Sequence, residues 1–130
     1  MNQLERKTGI IAVVAFLMLT ACSGGGGGGT TNQIPALRSP DGMSNAEASA
    51  KNNEGTDHLV QGHYDVSKPL FEAAIATKDN FAEAHFNLGV TLDGMGDHPG
   101  ATAAFQKAME LGKDNPKISG SELMKKHLGM

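Results

Sequence analysis

Apolar residues follow two different patterns along this chain. Residues 10–19 form an uninterrupted run of ten apolar side chains close to the N-terminus. From about Ser44 onwards, apolar residues instead recur three or four positions apart, as they do on one face of a helix. The stretch from Ser23 to about Gly42 shows no apolar periodicity and is rich in glycine, threonine, serine, asparagine and proline. The pattern predicts one small all-α domain over residues 44–130, preceded by a flexible connection.

Residues that start and stop helices divide this domain into two helical hairpins and a final helix. Each predicted helix is preceded by a side chain that can cap it, and in two cases a proline suits its first turn. We predict helices at about 45–61, after residue 67, from 80 to about 93, from 97 to about 112, and at about 119–128. The starting signals are Ser44 with Glu47, Ser67 with Pro69, Asn80 with Glu83, Asp97 with Pro99, and Ser119 or Ser121.

The domain repeats itself with a constant offset of 34 positions, as from Ala48 to Ala82. Seven pairs of identical residues are separated by that offset, most of them glycines, alanines and phenylalanines. Small residues suit the crossing of two helices that approach to about 8–10 Å, and phenylalanines fill the space between successive hairpins. The pairs are Ala48/Ala82, Ala50/Ala84, Asn53/Asn87, Gly55/Gly89, Gly62/Gly96, Phe71/Phe105 and Ala74/Ala108.

This period resembles that of the tetratricopeptide repeat (TPR), a helical hairpin with the pattern W-x₂-L-G-x₂-Y, A-x₃-F and P. The second copy, residues 82–115, carries the pair Leu88-Gly89 and places Ala101 and Phe105 at the spacing of the family. The resemblance implies a short α-solenoid of two TPR hairpins. In such arrays the first helix of each hairpin lines a concave groove.

The first copy, residues 48–81, resembles the family less closely. Lys51, Glu54 and His58 stand at positions that are apolar in the family. Terminal repeats are often atypical, because one of their faces has no neighbour. The final helix, at about 119–128, resembles the extra helix that covers the last repeat.

The resemblance also identifies candidate partner-binding residues on the concave face. Asn53 and Asn87 match a family position that often hydrogen-bonds the backbone of a ligand. Phe86 is either an anchor for a partner or a core residue between the hairpins. The groove candidates are Asn52, Asn53, Thr56, Leu59, Phe86, Asn87, Val90 and Asp93.

The N-terminal apolar run, residues 10–19, is followed after two small residues by the only cysteine of the chain, Cys22. Arg6 and Lys7 precede the run and small residues follow it, as in a secretory signal peptide. The run is too short for a transmembrane helix, which needs roughly 20 residues. Its end resembles the lipobox of bacterial lipoproteins. The motif is Leu19-Thr20-Ala21-Cys22.

The lipobox resemblance implies that residues 1–21 are a signal peptide and that Cys22 is acylated after cleavage. Ser23 stands where an Asp would retain a Gram-negative lipoprotein in the inner membrane, so we expect the outer membrane, facing the periplasm. Each buried CH₂ contributes about 0.8 kcal/mol, so two or more acyl chains anchor a protein stably. Residues 22–43 would then form a flexible tether, with an r.m.s. reach of roughly 25 Å.

Composition excludes several classes of partner and chemistry. Without residues 1–21 the chain carries 9 basic and 13 acidic residues, a formal charge of −4. This balance argues against nucleic acid, which normally requires a basic face, and it provides no polybasic patch for anionic lipid. Acylation of Cys22 would remove the only thiol, and with it disulfides, thiolate catalysis and cysteine-ligated metals.

No residue pattern in the sequence indicates an enzyme, a cofactor or a strong metal site. The five histidines form neither a His-Glu-x-x-His nor a Cys-x-x-Cys-His motif. His58 and His63 are five residues apart and do not share a helical face. His63 and His98, at neighbouring turns, form the pair that suggests a weak metal site.

The sequence therefore predicts a membrane-anchored periplasmic TPR adaptor or scaffold. It would bind a protein or peptide partner in its groove, in envelope assembly or secretion. The alternative is a lipid-anchored protein that binds a metal or small ligand through its histidines. Two repeats are fewer than the three that are generally needed for stability. We therefore expect a marginally stable domain, or association with itself or with a partner.

Overall fold

A computed structural model of the chain describes residues 33–130. The predicted signal peptide, Cys22 and the start of the predicted tether lie outside the described residues. Within residues 33–130 all regular secondary structure is helical, which confirms the all-α prediction. No helix in this range is long and apolar enough to cross a membrane. The helices are α1 (Ala46–Leu59), α2 (Tyr64–Thr77), α3 (Ala82–Gly94), α4 (His98–Gly112), α5 (Pro116–Ser119) and α6 (Glu122–Leu128).

Two of the predicted helix starts are confirmed by hydrogen bonds. The Asp97 carboxylate accepts a bond from Gly100 N at 3.0 Å at the start of α4. Of the two alternatives for the last helix, Ser121 is the cap, and its hydroxyl accepts from Met124 N at 3.4 Å. At the start of α1 the cap is Asn45, one residue later than predicted.

Ser67 and Asn80 are not the caps that we predicted. α2 begins earlier, at Tyr64, and Ser67 is buried within it, with its hydroxyl 3.4 Å from the Thr91 hydroxyl on α3. The N-cap residue of α3 is Phe81, whose side chain makes no cap bond and is 2% exposed. At both places burial against a neighbouring helix outweighs a local capping signal. The short helix α5 was not predicted.

The turn between the two helices of a hairpin is the same in both halves of the domain. Gly62 and Gly96, which are equivalent positions of the two repeats, have positive φ angles of 75° and 83°. A side chain would be strained in this conformation. The residue after each glycine donates to the carbonyl five residues before it: His63 N to His58 O at 3.0 Å, and Asp97 N to Leu92 O at 2.8 Å.

Close approach of the helices within each hairpin depends on a glycine and a phenylalanine. A Cβ atom on Gly55 would lie 2.7 Å from the Phe71 ring, and a Cβ on Gly89 would lie 2.6 Å from the Phe105 ring. Both rings are fully buried. The phenylalanines thus pack onto the glycine of their own hairpin, and both also belong to the core cluster that includes residues of both hairpins and of α6. α2 packs against α3, and α6 packs against α4.

Candidate functional site

Residues 33–41, which we name the strap, lie against the face formed by α1 and α3. We expected them to be part of the flexible tether 22–43. Ile34, Ala36 and Leu37 instead pack against the main hydrophobic core, whereas Gln33 and Pro35 remain exposed. The strap has no regular secondary structure of its own. Burial of these apolar side chains and bonding of the main chain offset the entropy lost when the strap is ordered.

Two asparagine side chains hold the main chain of Leu37. Leu37 N donates to Asn87 Oδ1 at 2.7 Å, and Asn87 Nδ2 donates to Leu37 O at 2.7 Å. Asn52 Nδ2 donates to the same carbonyl at 3.0 Å. The two amides are joined by a bond from Asn87 Nδ2 to Asn52 Oδ1 at 2.9 Å, and both side chains are fully buried. This pair, which we name the asparagine clamp, hydrogen-bonds only backbone atoms of Leu37, and Asn52 Nδ2 also donates to the Ser39 hydroxyl at 3.2 Å.

A second main-chain contact lies two residues further along the strap. Ser39 N donates to Asn53 Oδ1 at 2.9 Å, and the Ser39 hydroxyl donates to Ser49 O at 3.2 Å. Asn53 and Asn87 are the asparagines that occupy equivalent positions of the two repeats. Both therefore accept a main-chain N–H of the strap.

Side-chain contacts of the strap are fewer than its main-chain contacts. The Arg38 guanidinium pairs with the Asp57 carboxylate on α1, and both side chains are 58% exposed. Exposed ion pairs of this kind contribute at most about 1 kcal/mol. Leu37 is partly buried against the core. The side chains of Leu37 and Arg38 thus contact the core and α1, respectively.

The remaining groove candidates belong largely to the core. Leu59, Phe86 and Val90 are each at most 4% exposed. The ring centroids of Phe86 and Phe105 lie 5.7 Å apart. Of its two predicted roles, Phe86 thus has that of a core residue in this structure. The Thr56 hydroxyl donates to Asn52 O at 2.8 Å and lies beside the clamp.

Asp93 belongs to a separate cluster with two histidines. Its Oδ1 atom lies 3.0 Å from His98 Nδ1 and 2.9 Å from His127 Nε2. Among the described residues this is the cluster whose side chains can converge on one ion. The predicted pair was His63 with His98. The His63 ring instead lies beside His58, with ring centroids 5.9 Å apart.

Sequence reasoning missed the strap and the part played by His127. The apolar residues of the strap adjoin a glycine-rich stretch, so composition grouped them with the tether. The apolar residues Ile34, Ala36 and Leu37 in an otherwise polar and glycine-rich stretch were a weak signal of packing. His127 is far from His98 in the sequence, and only the fold of α6 brings them together. Comparisons of the chain with protein-family models, curated proteins and solved structures found no match.

Proposed function

We propose that this chain is a lipid-anchored adaptor whose groove binds an extended segment of a partner protein. Acylated Cys22 would hold it at the outer membrane, facing the periplasm, and the helices would form a TPR-like solenoid. The helix starts support that solenoid, since α2 and α4 begin at Tyr64 and His98, which are equivalent positions of the two repeats. The role proposed is assembly or secretion at the cell envelope.

The observation that carries this proposal is the asparagine clamp on Leu37. Two fully buried amides with their polar atoms directed at the N–H and C=O of one residue are costly to bury unless they are bonded. A groove built in this way recognises a peptide backbone. The strap, in this proposal, occupies the position of the partner segment.

The chemistry of the strap defines the partner. Its segment would be extended and would have an apolar residue at the position of Leu37, followed by a basic residue opposite Asp57. It would have no proline at the Leu37 position, because the N–H donated to Asn87 is required.

A partner has to displace the strap, because both would use the same hydrogen-bonding groups. A segment tethered by a short linker competes at an effective concentration in the millimolar range. The strap would therefore keep the groove closed to weak ligands. Binding of the partner would release residues 33–41 and lengthen the connection to the membrane.

Photo-crosslinking in living cells tests this function. A photoreactive residue would replace Asn53, which is half-buried beside the strap, and in a control chain Lys107, which is exposed on α4. We expect a crosslinked protein from position 53 in the membrane fraction and none from position 107. Cys22→Ala should remove both the acylation of the chain and its association with the membrane.

Equal crosslinking from both positions, or none from position 53, would contradict the groove. Membrane association of the Cys22→Ala chain equal to that of the parent would contradict the lipid anchor. The two parts of the proposal can therefore fail separately.

A further inference from the structure

Two histidine nitrogens, from two different helices, contact the same carboxylate oxygen of a third helix. Asp93 lies near the end of α3, His98 is the first residue of α4, and His127 lies in the last turn of α6. The three ligand atoms all lie within 4.8 Å of one another. Zinc takes nitrogen and oxygen ligands at about 2.0–2.2 Å, which separates neighbouring ligand atoms by roughly 3.3 Å in a tetrahedron. The contacts of 2.9 and 3.0 Å to Asp93 need only a small outward shift to admit such an ion.

The Thr102 hydroxyl lies at the ring nitrogen of His127 that faces away from Asp93. It donates to His98 O at 2.9 Å and lies 3.2 Å from His127 Nδ1. A polar partner at the nitrogen that faces away from the ion is the usual support of a metal-binding histidine, because it fixes the orientation of the ring.

We propose that Asp93, His98 and His127 bind a divalent first-row transition metal, with Zn²⁺ as the representative ion. Imidazole nitrogens favour such metals over Ca²⁺ and Mg²⁺, which prefer oxygen ligands. The His127 side chain is 11% exposed and that of His98 is 68% exposed. His127 is thus held within the fold, whereas His98 faces solvent, from which an ion can enter. A position on the solvent side remains for a fourth ligand.

The ion would join α6 to the second hairpin. His127 is on α6, whereas Asp93 and His98 are on α3 and α4, so one ion bonds all three helices. The His127 ring also packs on Phe105, with ring centroids 5.2 Å apart, which connects the site to the core. Metal binding should therefore raise the melting temperature. Lys126 lines the same cavity, and its charge should lower the affinity for a cation.

Titration with zinc chloride alone tests the site. The full chain would carry Cys22→Ser, so that its only thiol cannot bind, and would be purified metal-free in detergent. We expect calorimetry to show one zinc ion per chain, together with a higher melting temperature. His98→Ala and Asp93→Asn should each weaken binding by more than about tenfold, since even the outer partners of metal ligands contribute about 10–100-fold.

His63→Ala is the matched control, because it removes another exposed histidine outside the cluster. It should bind zinc as the parent does, and Lys126→Gln should bind it more tightly. His98 is exposed, so its replacement leaves the fold intact, which far-ultraviolet circular dichroism would verify. Absence of binding by the parent, or unchanged binding by His98→Ala, would overturn the proposal.

Discussion

At the scale of single residues, the asparagine clamp shows how two side chains order a segment that composition marks as flexible. Asn87 satisfies both the N–H and the C=O of Leu37, and Asn52 supports that carbonyl and bonds to Asn87. Each amide is buried only because its partners are present. Loss of one member therefore leaves the other and the strap without partners.

We expect Asn87→Ala to lower the free energy of unfolding by about 1–3 kcal/mol, the usual cost of leaving buried polar groups unsatisfied. The Leu37 amide should also exchange hydrogen faster, because its acceptor is lost. Chemical denaturation and amide exchange measured by NMR check both effects. Asn53→Ala is the control. It should speed hydrogen exchange at the Ser39 amide and lower the free energy of unfolding by less than Asn87→Ala does. An unchanged Leu37 exchange rate in Asn87→Ala would contradict the clamp.

At the scale of elements, each hairpin depends on a glycine of its first helix that lies under a phenylalanine of its second. Gly55 and Phe71 form this contact in the first hairpin, and Gly89 and Phe105 form it in the second. The surroundings of both rings leave no room for an added carbon. The equivalence of the two contacts explains why these positions carry identical residues in the two repeats.

Gly89→Ala should destabilise the domain by about 1–3 kcal/mol, because a Cβ atom 2.6 Å from the Phe105 ring forces the helices apart. Thermal and urea denaturation measure this loss. In a background of Phe105→Leu the added methyl group should cost much less, since the smaller side chain makes room for it. Equal costs in the two backgrounds would show that the glycine serves another purpose. Gly55→Ala with Phe71→Leu repeats the test in the first hairpin.

At the scale of the whole molecule, the strap and α6 cover surfaces that two hairpins alone would expose. The strap lies over α1 and α3, while α6 packs on α4 and buries Met124 completely. Apolar surface that is left uncovered favours association. The strap and the last helix thus bury apolar surface of the two hairpins that would otherwise be exposed.

Deletion of residues 33–41 should lower the melting temperature and promote association at micromolar concentration, because the core residues under Leu37 become exposed. Sedimentation velocity and thermal denaturation measure the two effects, and the intact chain should sediment as a monomer. Deletion of the glycines at 24–29 is the matched control and should change neither property. A monomer of unaltered stability after removal of the strap would show that it contributes nothing to the domain.

The sequence by itself determined the all-α class, the main helices and the repeat offset. These depend on helical periodicity and on glycines such as Gly62 and Gly96, whose positive φ is a local requirement. The same offset relates Asp97, the N-cap residue of α4, to His63, the N-cap residue of α2, whereas we predicted Ser67 as the cap of α2.

Only the tertiary structure decided which surface is occupied and which side chains meet. The strap is held by residues of α1 and α3 that are up to 50 positions away, and Asp93 reaches His127 across 34 positions. Hydrogen bonds and burial of this kind depend on the packing of whole helices. Local composition carries no record of that packing, so the sequence predicted the strap to be tether and paired His98 with His63.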